Sequence, residues 1–168
     1  MSTYYKCFKK GCKDTLKIGK IYHFGNGIKF ENDENGYYAC ERLEDTLRCQ
    51  NKIGSEIDIA KVSCWGVNKE YRDDIYEFYD TYDFEDMVIN EIMTREDIIK
   101  YGLALNEERV RRFIALFRLT EEEILLFKEK FKNNSKIISA IEYYQENNKE
   151  AYEDYYRKVK VLRLNKGE

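Results

Sequence analysis

The chain has 168 residues, which is long enough to bury a core without a metal or a disulfide. Aromatic residues make up 15% of it, which argues against disorder, and the net charge of −3 gives no basic field that would attract nucleic acid. The longest apolar runs, such as residues 113–117, fall far short of the roughly 18 residues that a membrane span needs, and the N-terminus lacks a signal-peptide pattern. We therefore expect a soluble, cytoplasmic, globular protein.

The first hundred residues have the pattern of short strands joined by polar turns. Residues 17–24 alternate in polarity, and Gly25-Asn26-Gly27 is typical of a hairpin turn, so residues 28–30 are expected to return as a strand. Residues 57–66 carry β-branched side chains with a period of two and give the clearest strand. Further elements are expected at residues 37–40 (extended), 41–49 (a short helix) and 86–93 (a strand).

Beyond Thr94 the apolar residues take the spacing of helices. A first helix is predicted from Thr94, with Gly102 placed to end it in a left-handed conformation. The sequence therefore predicts an α+β fold, in which a small, mainly antiparallel sheet occupies a domain over residues 1–102. A helical module over residues 103–168 is expected to pack on that domain or on a second copy. The predicted N-cap residues of its helices are Asn106, Thr120, Asn134 and Asn147.

The five cysteines lack the spacing of a metal site. Cys7 and Cys12 are the one pair close enough for a structural zinc, and His23, the single histidine, has no second ligand beside it in the sequence. We expect reduced thiols, no metal and no cofactor, since nothing marks a secreted disulfide framework. The cysteines are Cys7, Cys12, Cys40, Cys49 and Cys64.

A longer motif begins at Gly36. Residues 36–47 read Gly-Tyr-Tyr-Ala-Cys-Glu-Arg-Leu-Glu-Asp-Thr-Leu and resemble the Gly-Phe-His-Ala-Cys-Glu-x-x-x-Asp-x-Leu signature of a small uncharacterised domain in bacterial and phage proteins. The resemblance covers residues 3–102 and implies a compact β-rich domain carried by mobile elements, with no assigned activity. The family's histidine is Tyr38 here, so any imidazole chemistry at that position is missing. Other stretches in the family's order are residues 5–8, 19–22, 59–66 and 88–102.

A small set of residues could support an enzyme of unknown reaction, which is the alternative function. Cys40 lies at a predicted strand-to-helix junction, where a helix N-terminus would lower the pKa of its thiol. The structural explanation is that Cys40 fills core space, Glu41 favours the helix start and His23 packs at a sheet edge. The candidate catalytic residues are His23, Tyr38, Cys40 and Glu41.

Residues 70–97 form the most unusual stretch, with eleven carboxylates against two arginines and interleaved aromatic residues. Aromatic side chains supply contact area and carboxylates steer a basic partner, so the stretch is typical of a docking surface, for example a nucleic-acid mimic. The alternative is a solvated insertion whose rings pack back on the sheet. The residues predicted to bind the partner are Asp73, Asp74, Tyr79, Asp80, Tyr82 and Asp83.

The helical module has a helix–turn–helix outline over residues 120–144. Its second helix is nearly uncharged after Lys136 and offers no arginine to read bases, which argues against direct nucleic-acid binding. The function expected from the sequence is therefore a non-catalytic interaction or regulatory protein of a bacterium or its mobile elements, which docks a basic protein partner.

Overall fold

The computed structural model describes residues 2–11, 15–31, 33–47, 57–73 and 78–147. The chain forms two compact units, a sheet unit that ends at Thr94 and a helical unit that begins at Arg95. The sequence placed this division after residue 102, but the helix containing that residue groups with the helices that follow it. The α+β fold class is confirmed. None of the helices in the described ranges is both long and apolar enough to cross a bilayer.

Five antiparallel strands build the sheet unit: β1 (Thr3–Lys9), β2 (Ile21–His23), β3 (Tyr37–Cys40), β4 (Ile57–Asp73) and β5 (Phe78–Ile92). β4 and β5 form a long hairpin, and all of β1 pairs with the first part of β4. β3 pairs with β5 and, through Tyr5 opposite Cys40, with β1. The strands β1, β4, β5 and β3 therefore close into a ring, and β2 pairs with the part of β5 that follows the β3 pairing. A short helix, α1 (Leu43–Thr46), follows β3 within the helix predicted over residues 41–49.

The core of the ring is aromatic. Phe8, Tyr22, Tyr37 and Phe84 are all buried in one cluster, with aliphatic side chains between them. Phe30, from the loop before β3, packs against this cluster and meets the Phe8 ring edge-on, with 4.9 Å between the ring centroids. Edge-to-face contacts of this kind add attraction to the large apolar area that each ring buries.

A lysine and an aspartate are buried next to these rings. Nζ of Lys6 lies 2.5 Å from Oδ1 of Asp33 and donates to the backbone carbonyl of Tyr38 at 2.9 Å. Asp33 also accepts hydrogen bonds from the backbone N–H groups of Tyr38 and Phe30, both at 3.0 Å. Removing one member of such a buried pair strands a charge, at a cost of about 3–5 kcal/mol. The pair therefore ties the loop before β3 to β1.

The hairpin predicted at residues 25–27 is not present. The chain makes a single 3₁₀ turn at Phe24–Asn26, which Gly27 ends at φ 81°. Residues 28–30, predicted as the returning strand, lie in a loop. The Asp33 carboxylate takes the N–H of Phe30, and the Tyr37 hydroxyl donates to the Ile28 carbonyl at 2.9 Å. Side chains thus satisfy backbone groups that a neighbouring strand would otherwise pair.

The acidic, aromatic stretch is mostly strand. The strands predicted at residues 57–66 and 86–93 are confirmed within β4 and β5, and both continue well into residues 70–97. The register between β4 and β5 shifts at three places, the first between Lys61 and Val62. The described part of this stretch is thus paired in the sheet, and its Tyr82 ring packs on Tyr4 and Phe84, as the alternative with rings packed back on the sheet expected.

The helical unit contains α2 (Arg95–Leu103), α3 (Glu107–Leu116), α4 (Glu121–Lys130) and α5 (Ser135–Ile141), followed by a π-helical turn at Glu142–Asn147. The N-caps predicted for α3, α4 and α5 are confirmed, because each cap side chain accepts a hydrogen bond from the backbone N–H three residues on. Thr120 and Glu123 complete a capping box at the start of α4. The helix predicted from Asn147 lies outside the described residues.

Gly102 has a packing role. It lies within α2 and does not have a positive φ, so the prediction that it ends the helix in a left-handed conformation is wrong. A Cβ atom at this position would come within 2.7 Å of the Phe113 ring. Phe113 itself stacks on Phe127, with 5.8 Å between the ring centroids. Because Gly102 has no side chain, the Phe113 ring can pack directly against the backbone of α2.

Candidate functional site

The four candidate catalytic residues are not brought together. On β5, His23 lies opposite Asp86, Tyr38 opposite Asp83 and Cys40 opposite Thr81. At about 3.3 Å per strand residue, Tyr38 and Cys40 lie roughly 10 and 17 Å further along the strand than His23. The Cys40 side chain is buried, and Glu41 accepts a hydrogen bond from the Tyr82 hydroxyl at 3.1 Å. These positions do not form a nucleophile with an adjacent base.

The residues predicted to bind a partner fall into two groups. Tyr82 packs its ring on Tyr4 and Phe84, and Asp83 is only 2% exposed. Asp83 therefore cannot act as a surface carboxylate. For Asp73, Tyr79 and Asp80 the structure describes the backbone alone. Asp74 lies outside the described residues.

The structure instead assembles a row of side chains across three strands. Trp65 on β4 and His23 on β2 are both register partners of Asp86 on β5. Register partners in an antiparallel sheet project to the same side, so the three side chains are neighbours. The adjacent row consists of Ser63, Val88 and Ile21. We call these two rows the outer face; its residues are Ile21, His23, Ser63, Trp65, Asp86 and Val88.

His23 is held between two carboxylates. Its Nδ1 is hydrogen-bonded to Oδ1 of Asp86, and its Nε2 lies 3.4 Å from Oε1 of Glu85. The hydrogen bond to Asp86 raises the pKa of His23 above its ordinary value; desolvation opposes this shift, and the charges of Asp86 and Glu85 add to it. The charged form of the imidazole is therefore favoured relative to that of a free histidine.

Glu85 connects the row to the neighbouring loops. It accepts hydrogen bonds from the backbone N–H of Gly25 and from the side chain of Asn68, both at 3.0 Å. Asn68 also donates to the carbonyl of Asn35 at 3.1 Å. Gly66, opposite this point on β4, has φ +72°, and a Cβ atom there would lie 3.0 Å from the Glu85 Cβ. Glycine is thus required at position 66 both for its conformation and for the close approach.

The outer face combines apolar and acidic groups. Ile21 is 61% exposed, Trp65 and Val88 are half-buried, and the Asp86 side chain is 19% exposed. The Asn90 side chain donates a hydrogen bond to the Ser63 hydroxyl at 2.8 Å, which holds Ser63 in the adjacent row. The outer face therefore offers an aromatic ring, aliphatic contact area and the Asp86 carboxylate on one surface of the sheet.

Sequence reasoning found His23 but not its partners. Glu85 and Asp86 were counted only within the charge of residues 70–97, because strand register decides which carboxylate faces the imidazole. Alternation in β2 and β5 could have suggested two pairing strands, but not the alignment of His23 with Asp86.

No group of three or more histidine, cysteine, aspartate or glutamate side chains in the described ranges is arranged to hold a metal ion. Cys7, Cys40 and Cys64 are buried thiols, and burial raises the pKa of Cys64 to about 12. Cys12 and Cys49 lie outside the described residues, so the Cys7–Cys12 pair considered for zinc stays untested.

Comparison with family models, with curated proteins and with solved structures found no match to this chain. The resemblance of residues 36–47 to the bacterial and phage domain therefore stays a prediction. The function must be argued from the site itself.

Proposed function

We propose that the sheet unit is a non-catalytic docking module that binds a basic protein partner through the outer face. The observation that carries this proposal is the row Trp65–Asp86–His23, which sets an aromatic ring beside a carboxylate on the sheet. Binding energy at interfaces concentrates in aromatic and arginine anchors, while carboxylates steer a basic partner into register.

In this proposal the negative charge still comes from residues 70–97, but the partner contacts Glu85 and Asp86 rather than residues 73–83. Glu85 and Asp86 belong to residues 70–97, and both have partly exposed side chains, at 31% and 19%. The proposed contact leaves out Tyr82, whose ring packs on Tyr4 and Phe84, and Asp83, which is buried. A cationic side chain approaching Asp86 would meet the Trp65 ring as well, and cation–π contact adds to the charge attraction.

Catalysis is the weaker candidate because the structure disperses His23, Tyr38, Cys40 and Glu41. We further propose that this is a protein of a bacterium or its mobile elements and that it acts in the cytoplasm. This part of the proposal rests on the resemblance of residues 36–47 alone.

The test uses a fluorescent peptide of alternating arginine and serine as the probe, with an alternating glutamate–serine peptide as its control. We expect the arginine peptide to bind and to change the emission of Trp65, the single tryptophan of the chain. Binding should weaken between low and physiological salt, since exposed charges are screened beyond about 8–10 Å.

Two variants and one matched control test whether the arginine peptide binds at the outer face. Asp86→Asn should slow association, and Trp65→Ala should weaken binding by about tenfold, as expected for an aromatic anchor. Glu96→Gln removes an exposed carboxylate of the helical unit and should leave binding unchanged. Equal binding of the arginine and glutamate peptides, or equal loss in Asp86→Asn and Glu96→Gln, would overturn the proposal.

A further inference from the structure

The imidazole of His23 lies against the carboxylates that the outer face offers to a basic partner. Its Nδ1 is hydrogen-bonded to Oδ1 of Asp86, and its Nε2 lies 3.4 Å from Oε1 of Glu85. The His23 side chain is 46% exposed, whereas those of Glu85 and Asp86 are 31% and 19% exposed. A cation that approaches either carboxylate from solvent therefore competes with the imidazole for its oxygen atoms.

The charge of the imidazole decides what Glu85 and Asp86 present to such a cation. A protonated ring carries a proton on both nitrogens and donates to both carboxylates, so the three ionised side chains together carry a single negative charge. A neutral ring has a proton on one nitrogen alone, and the negative charge of the three side chains is then doubled. A guanidinium group is therefore attracted more strongly when the ring is neutral.

Tyr37, on β3, is a second titratable group near these carboxylates. Burial raises the pKa of its hydroxyl to about 12, and the charges of Glu85 and Asp86 contribute to that rise. The hydroxyl is therefore neutral throughout the range in which a histidine titrates. β4 contributes Trp65, opposite Asp86, and the Asn68 amide, which donates to Glu85, and neither of these side chains titrates.

Two lysines lie on the segments on either side of His23. The ammonium group of Lys20 lies over the Tyr22 ring, 5.2 Å from its centroid, and that of Lys29 lies over the Phe24 ring, 5.3 Å from its centroid. A lysine carries the same charge on both sides of a histidine titration. These two lysines therefore weaken the attraction for a cation but do not make it depend on pH.

We propose that His23 is a pH-sensitive switch, so that the outer face binds its basic partner more tightly when the imidazole is neutral than when it is protonated. The proposal rests on the proposed docking function and adds its regulation. Because partner and proton compete, partner binding displaces the proton from His23, and protonation weakens partner binding by the same factor. For groups in direct contact we expect a factor of about five or more.

The competition is measured on the full chain with the arginine–serine peptide as the probe. The chain has one histidine, so its imidazole signals in a nuclear magnetic resonance titration report the pKa of His23 without and with the peptide. We expect saturating peptide to lower this pKa. Calorimetry about one pH unit above and below the midpoint of the free protein should show an affinity about fivefold higher above it. Near the midpoint the binding enthalpy should differ between phosphate and Tris buffers, because the released proton is taken up by the buffer.

One variant and one control assign the effect to His23. His23→Gln keeps a side-chain N–H donor but cannot gain a proton, so it should bind the peptide equally at both pH values and release no proton. Glu96→Gln, on the helical unit, should keep the pH dependence of the wild type.

The outcomes separate this proposal from the docking function. Peptide binding with the same affinity at both pH values, a His23 pKa that the peptide leaves unchanged, or an unaltered pH dependence in His23→Gln would each overturn the switch and leave the docking function in place. A peptide that binds at no pH would overturn the docking function and the switch together. The titration of the wild type decides the question even where His23→Gln does not fold.

Discussion

The charge of His23 depends on its position between Asp86 and Glu85. Both ring nitrogens face carboxylate oxygens, so protonation lets the imidazole donate to each of them. The protonated ring therefore lowers the negative charge of the outer face and, through Glu85, supports the turn at Gly25.

This arrangement predicts a stability that falls as pH rises. The pKa of His23 is raised in the folded chain, so its contribution is complete below the unfolded value of about 6.5 and is lost as pH rises through the folded pKa. Urea unfolding followed by Trp65 emission should show this loss in the wild type and not in His23→Asn. Asp86→Asn should flatten the dependence as well. Identical pH dependence in the wild type and His23→Asn would contradict the assignment.

The buried pair of Lys6 and Asp33 could not be predicted from the sequence. Lys6 stands in a strand among aromatic residues and Asp33 in a polar turn, 27 residues apart, so each reads as a solvated charge. The ring of strands brings them together in its core, where each satisfies the other. The sequence placed Asp33 in a polar turn but predicted no strand over residues 3–9, and the pair could not be found because its members share no local pattern.

Helix starts were predicted well because their signals are local. Asn106, Thr120 and Asn134 each bond a backbone group three residues away, within the span that a motif can encode. The strand predicted at residues 28–30 failed for the opposite reason. Strand pairing depends on a distant partner, and side chains of Asp33 and Tyr37 took the backbone groups there instead.

Gly102 supplies a prediction for the helices. Replacing it by alanine favours α2 by about 1 kcal/mol through backbone entropy, but the added methyl group would meet the Phe113 ring at 2.7–2.9 Å. Overpacking of a dense core costs about 1–3 kcal/mol, so we expect a net loss of stability. Thermal unfolding followed by helix circular dichroism measures it.

Two further variants separate packing from propensity. Ser139→Ala changes an exposed position of α5 and should stay within about 0.5 kcal/mol of the wild type. Adding Phe113→Leu to Gly102→Ala removes the clash and should recover part of the loss relative to Phe113→Leu alone. A Gly102→Ala variant more stable than the wild type would show that the Phe113 ring can shift without cost. That result would contradict the packing role of Gly102.

At the scale of the whole molecule, the sequence predicted the fold class but not how the strands close on one another. The change in apolar spacing beyond Thr94 indicated where the helices begin, although the domain boundary was predicted after residue 102. The ring depends on registers such as Tyr5 opposite Cys40 and Thr3 opposite Ser63, which lie far apart in the chain. The outer face depends on other long-range registers, in which His23 and Trp65 both lie opposite Asp86, and for that reason the candidate site moved from residues 73–83 to Asp86 and its neighbours.

The cysteines give a prediction that involves the whole chain. Cys7, Cys40 and Cys64 are buried, at 1%, 0% and 6% exposure, on three strands of the ring. Burial raises the pKa of Cys64 to about 12, so only roughly one thiol in ten thousand is ionised at pH 8, and the thiolate is the reactive form. These three thiols should react with a disulfide reagent only when the ring opens.

Thiol titration checks this directly. In denaturant all five cysteines should react, whereas in the native protein Cys7, Cys40 and Cys64 should stay protected, with a rate that rises steeply as denaturant approaches the unfolding transition. Cys64→Val, which keeps the site apolar, should lower the protected count by one. Metal analysis of protein purified without chelator should give well under one zinc per chain. Rapid native reaction of more than two thiols, or stoichiometric zinc that is lost when Cys7 or Cys12 is replaced, would show that the cysteines are not buried structural thiols of the ring.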